Sequence, residues 1–283
     1  MALFPKVLQH LLSLSLWLAI LVVIFVPLER FFAVYAHKTL RKGIGIDLCY
    51  YFINSLLPAA LLSVPTALLT WSVRHIMPGS VLALTASLPF WALLPVGLVV
   101  SEIGGYWGHR WSHEIPFLWR FHAIHHSAEE MDFLINTRAH PLDMVFGRLC
   151  ALAPMVILGL AGPSRTSGGN MLAVLVLLAG TFWGFFVHAN VRWRLGLLEW
   201  LVATPKFHHW HHTKTGLIDH NYAAMLPWID RLFSTHNLPN EWPASYGVEA
   251  PMPLKLVDQL IYPLMPLDFV AGERSAEAAA QQE

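Results

Sequence analysis

Apolar positions in this chain fall into five long runs rather than into alternating or helical stripes. The runs extend from about Val7 to Val26, Ile46 to Trp71, Val81 to Tyr106, Leu142 to Leu160 and Met171 to Val187. About 20 apolar residues in a helix cross a bilayer core. The pattern predicts an all-α, multi-span integral membrane protein with about four to five transmembrane helices. The first run is too long for the apolar region of a signal peptide, and no small-residue cleavage site follows it. Pro58 and Pro65 interrupt the second, which a membrane helix tolerates. Gly162, Pro163, Gly168 and Gly169 mark a tight reversal between the fourth and fifth.

The polar stretches 107–141 and 188–236 are rich in histidine and are expected to form a helical cap. Proline-punctuated amphipathic pieces follow, around Pro243, Pro251, Pro253, Pro263 and Pro266, and fit the membrane surface. Residues 1–270 read as a single membrane-embedded domain, and 271–283 as a disordered tail.

Spans four and five form a hairpin, so the stretches on either side of it emerge on one face. The loop after span one carries Arg30, Lys38, Arg41 and Lys42, and two further spans return the chain to that side. The other side has only Lys6, Arg74 and Arg165 nearby. Positive residues favour the cytoplasmic side. The histidines are therefore expected on the cytoplasmic face and the N-terminus outside.

Composition supports a membrane protein. Of 283 residues, 55% are hydrophobic and only 13% are charged. The formal charge is zero, so no global field points to nucleic acid. Cys49 and Cys150 imply no disulfide framework.

Histidine is the anomaly. Ten of the sixteen have ligand spacing: His109 and His113; His122, His125 and His126; His140; His188; His208, His211 and His212. Residues three and four apart share a helix face. In each H-x-x-H-H the last two rings diverge by about a hundred degrees, so one triplet can serve two neighbouring ions. A lone histidine at any of these positions would ordinarily be a surface or satisfied interior residue. The joint pattern points to a metal site. Ten imidazoles exceed the four ligands usual for zinc, and no Met or Cys is interleaved as copper would favour. Two irons with about five ligands each fit the count. His209, adjacent in sequence, is a candidate substitute or outer ligand.

The order of these motifs carries a family likeness. Tyr106-Trp107-x-His109-Arg110-x-x-His113 leads to Pro116-x-Leu118-Trp119-x-Phe121-His122-x-x-His125-His126-Ser127. Arg138-x-His140-Pro141, His188-x-Asn190, Pro205-x-x-His208-x-x-His211-His212 and Asn221-Tyr222 follow, then Trp228-x-Asp230-Arg231-Leu232-Phe233. Over roughly residues 100–236 the chain resembles the fatty acid hydroxylase/sterol desaturase superfamily. It departs at Ala223 and Ser234, where the family often has glycine, and at His236 after Thr235. The resemblance implies a membrane-bound, non-haem di-iron oxygenase. Such an enzyme uses O2 and external electrons to hydroxylate or desaturate a lipid C–H bond, in a sterol, fatty acyl chain or related lipid. It implies an electron donor on a separate chain, a ferredoxin or a cytochrome b5-type protein with its reductase. The competing reading is a non-catalytic metal-binding membrane protein, a sensor or transporter. A transporter would want polar residues spread through several spans, and here Glu102 stands nearly alone. Haem held between facing spans would need histidines at matched depth, and only His188 comes close.

Ligating imidazoles need their other nitrogen held by a carboxylate or carbonyl. Glu102, Asn190, Asp219, Asn221 and Asp230 are the main candidates for this supporting role, with Glu129, Asp132 and Asp143 also near. Glu102 lies inside the third run, seven residues before His109. An acid within a membrane span is costly and is read as functional by default.

Overall fold

The computed structural model describes residues 3–36, 40–161 and 169–265. Among them every regular element is helical, and the only β-type pairing is an isolated bridge between Thr213 and Tyr246. The tight reversal expected around 162–168 and the expected tail 271–283 lie outside the described residues.

Four helices are long and apolar enough to cross a membrane. They are α1 (Leu3–Phe31), α2 (Ile44–Ile76), α4 (Phe90–Glu114) and α7 (Gly169–His188). The third predicted run splits. A short helix, α3 (Gly79–Ser87), ends before Pro89, and α4 starts beyond it. A proline ring favours extended backbone in the residue before it, which separates the two pieces. Helix α4 also continues past the apolar run to Glu114, so His109 and His113 ride on a membrane helix rather than follow it. The fourth run forms α6 (Pro141–Ile157), whose 17 residues span about 25 Å. It ends where Gly159 adopts φ +67 and the amides of Leu160 and Ala161 turn back to the Met155 carbonyl.

Helices α4 and α6 are pressed together along a glycine seam. A Cβ on Gly104 would collide with the Cys150 carbonyl, and one on Gly108 would lie 2.6 Å from the Cys150 Cβ. Small residues four apart let membrane helices approach closely without a hydrophobic driving force. This seam sets the spacing between His109 on α4 and Asp143 on α6. Elsewhere α1, α2 and α7 meet the cap in one apolar cluster that includes Phe25, Tyr51, Phe133 and Phe185. Leu12, Leu16, Trp17 and Val23 of α1 remain exposed, as lipid-facing side chains would be without a bilayer.

The cap consists of α5 (Pro116–His126), α8 (Pro205–His211), α9 (Trp228–Leu232), α10 (Leu256–Ile261) and the turns between them. The α1–α2 connection is tied to it. Asn190 Oδ1 accepts the amides of Val34 and Tyr35, and Glu29 accepts those of Phe133 and Asn190. Arg41 pairs with Asp47 and with Asp132, both at 2.7 Å, and Asp47 also pairs with Arg138 at 2.8 Å. The basic loop after span one therefore lies on the same side as the histidines. One of its charges, Arg41, is spent on this buried network.

Candidate metal centre

Nine imidazoles converge where the ends of α4 and α7 meet α5 and α8. They form two groups. His109, His113, His122, His126 and His211 make the first, and His125, His188, His208 and His212 the second. Within each group the potential ligand atoms all lie within 4.8 Å of one another.

Helix geometry produces the partition. His109 and His113 are one turn apart on α4 and point the same way. On α5, His122 and His126 share a face and join the first group, while His125 turns to the second. Around α8 the arrangement is reversed: His208 and His212 join the second group and His211 crosses to the first. Each H-x-x-H-H thus feeds both groups. His188, the last residue of α7, completes the second.

The nitrogens are spaced as ligands of shared ions. The Nε2 atoms of His109 and His122 lie 3.1 Å apart, and those of His122 and His126 3.2 Å. In the second group the His125–His188, His188–His208 and His208–His212 separations are 3.2, 2.9 and 3.2 Å. Two imidazoles bound at right angles to one ion at about 2.1 Å have nitrogens roughly 3 Å apart.

Most of the outer nitrogens are held. His109, His125, His188 and His211 donate Nδ1–H to the carbonyls of Tyr222, Arg138, Gly184 and His220, at 2.7–2.9 Å. A carbonyl can only accept, so the proton is fixed on Nδ1 and the Nε2 lone pair faces inward. His122 Nδ1 meets Asp143 at 2.9 Å, and His113 Nδ1 meets Asp219 at 3.2 Å. The Nε2 atoms of His113 and His211 are buried with no hydrogen-bond partner. Buried polar atoms are seldom left so, and a metal ion in the first group would engage both. Burial, reinforced by neighbouring imidazoles, lowers the His125 pKa to about 3 and holds His126, His208, His211 and His212 well below the usual range. These rings are neutral near pH 7, the state a ligand requires.

His140 is not brought to either group. It caps α6, its Nδ1 accepting the Leu142 amide at 3.1 Å and its Nε2 donating to the Leu260 carbonyl at 3.0 Å. Pro141 occupies the first helical position, which leaves His140 as the cap residue. His209 also lies apart. It packs between the Tyr246 hydroxyl at 2.9 Å and the Ala189 carbonyl at 3.1 Å.

The supporting residues divide by distance from the rings. Asp219 touches a ring directly. Asp230 accepts the amides of Tyr222 and Ala223, and so fixes the carbonyl that holds His109. Burial raises its pKa to about 6, against the pull of those amides and of Thr235. Glu102 accepts the amides of Met225 and Leu226 and touches no imidazole. Asn190 braces the α1–α2 connection. Asn221, at φ +61, bonds the backbone of Phe207 and Asn237. Glu129 lines a separate polar pocket, and Asp132 belongs to the arginine network. Asp47, overlooked in the sequence, steadies Arg138, whose carbonyl holds His125. The signal was present in an acid at the start of an apolar run.

An apolar cavity of about 630 Å³ reaches these groups. Leu14, Trp17 and Ile20 of α1 line it, and so do His109, His122, His125, His188 and His208. A long acyl chain could enter from between the spans and lie against both groups.

The chain is 31% identical over 253 residues to an ornithine lipid hydroxylase of Rhizobium tropici, covering 88% of this chain and 71% of that one. It is 31% identical over 152 residues to the alkylglycerol monooxygenase of Xenopus tropicalis and 30% identical over 152 residues to the human one. Each of those matches covers 53% of this chain and only 32% of the relative. No solved structure matches. The family model for fatty acid hydroxylase matches residues 94–235, the interval that contains all nine converging histidines. The chain belongs to the fatty acid hydroxylase family.

Proposed function

We propose that this protein is a membrane-bound di-iron oxygenase that hydroxylates an unactivated C–H bond of a lipid. The observation that carries the reading is the convergence of nine imidazoles, in groups of five and four, at the wall of an apolar cavity lined by membrane helices. The names of the relatives, a lipid hydroxylase and two monooxygenases, favour oxygen insertion over desaturation. The ligand set is His109, His113, His122, His126 and His211 for one iron and His125, His188, His208 and His212 for the other.

The balance is RH + O2 + 2 e⁻ + 2 H⁺ → ROH + H2O. Bound iron would supply the reduction of O2 and the oxidation of the C–H bond. The protein's own residues do the rest. The carbonyls of Tyr222, Arg138, Gly184 and His220 hold four rings in one tautomer. Asp143 and Asp219 place negative charge behind two more. The apolar wall holds the chain of the substrate and excludes water. The two electrons come from a ferredoxin or a cytochrome b5-type donor with its reductase. The basic connection between α1 and α2 favours the cytoplasmic side for the site.

The test joins metal analysis of the purified protein to an oxygen-consumption assay with lipid extract, reductase and donor, with products identified by mass spectrometry. Two irons per chain and a product heavier by one oxygen are expected. One tightly held zinc and no oxidised lipid would sink the proposal.

A further inference from the structure

Arg148 is a charge that neither metal group accounts for. It lies on the face of α6 that carries Asp143, Met144, Gly147 and Ala151, and all five line the apolar cavity. Arg41, Arg110, Arg138 and Arg194 each grip a carboxylate. Arg148 has no such partner and no hydrogen bond among the described residues. The acids that share its cavity are engaged elsewhere. Asp143 holds His122, and Glu102 accepts the amides of Met225 and Leu226.

An unpaired guanidinium facing an apolar cavity within a membrane protein is costly and calls for a partner. Its placement suggests one. Arg148 follows Asp143 by five residues, about 7.5 Å along the helix axis. Side chains on a helix lean toward its N-terminus, which here is the end that meets the histidines. The guanidinium fork matches the two oxygens of a carboxylate or a phosphate.

We propose that Arg148 anchors the anionic oxyacid group of an acidic lipid in this cavity, and thereby sets which carbon lies against the metal groups. The proposal rests on reading the cavity as the substrate site. Arg148 is a specificity-determining residue and takes no part in the oxidation.

Binding can be measured without turnover, because Trp17 lines the same cavity and reports a brominated lipid by fluorescence quenching. The full-length, metal-loaded protein in detergent is titrated with dibromostearic acid, with its methyl ester, and with a lysophosphatidic acid carrying the same chain. A charge-assisted hydrogen bond predicts half-quenching by the acid at about a tenfold lower concentration than by the ester. R148Q should bring the two within about twofold, and R148K should keep part of the gap. Preference for the phosphate-headed probe over the free acid would identify phosphate as the anion. Equal quenching by all three probes in the unaltered protein overturns the proposal, as does an acid preference that persists in R148Q. If R148Q does not fold, R148K and the unaltered protein still decide it. Arg148-dependent acid binding in a protein that oxidises no lipid would fail the oxygenase reading and leave the anchor standing. Lipid oxidation with no acid preference would do the reverse.

Discussion

The two histidine groups share helices yet are built differently. The first has five imidazoles, and carboxylates stand behind two of its rings. The second has four imidazoles, all buried, and where its outer nitrogens are held the partner is a carbonyl. Negative charge behind an imidazole raises its basicity and strengthens its bond to a cation. On the proposed two-iron reading, the first group would be the tighter and more electron-rich site. The second offers one imidazole fewer. A six-coordinate ion there would keep more positions for small molecules than one in the first group. Five of the nine rings touch the cavity, and three of these, His125, His188 and His208, belong to the second group. The difference suggests a division of labour, one site holding its ion firmly and the other leaving room for chemistry.

The largest effect should come from removing a ligand. His125→Ala or His211→Ala should abolish product formation, with metal content by mass spectrometry falling below that of the unaltered protein. Full activity in either variant would break the assignment. Next comes the carboxylate behind the first group. Loss of such an outer partner typically costs 10- to 100-fold in metal affinity or activity, so Asp143→Asn should weaken metal retention against a chelator by about that factor. Asp219→Asn should do less, because the Asp219 side chain is 59% exposed and its contact is longer. Equal losses from both would remove the distinction between the two carboxylates. Asp47→Ala tests the second group through the fold. It leaves Arg41 and Arg138 short of a buried partner, which should cost about 3–5 kcal/mol, read as a lower unfolding temperature in detergent. The smallest effect belongs to His140→Ala. It removes a helix cap, at about 1 kcal/mol, and should leave metal content unchanged. Loss of a metal ion from that variant would return His140 to the ligand set.

The histidine spacing made much of this visible in advance. Histidines placed three and four apart reveal their shared face without any knowledge of the fold, so the gathering of His109, His113 and the two triplets could be anticipated. His140 could not. A histidine before a proline is equally suited to ligation and to capping a helix, and only the position of Leu260 settles which contacts it makes. The supporting layer was hardest to read, because four of its members are backbone carbonyls, which every residue has. Glu102 looked like an imidazole partner from its register on α4, but the loop at 225–226 reaches it first. Four of the five apolar runs fall on helices long and apolar enough to cross a membrane, while the fourth forms the shorter α6, which does not meet that measure. They misjudged the third, since hydropathy does not register the break at Pro89.

Because α5 and α8 each send rings to both groups, neither site can be assembled alone. An ion bound in one group would fix the rotation of both short helices, and with it the rings that face the other. Occupancy should therefore be cooperative: chelator titration would pass from two ions per chain to none with little population of the singly loaded form.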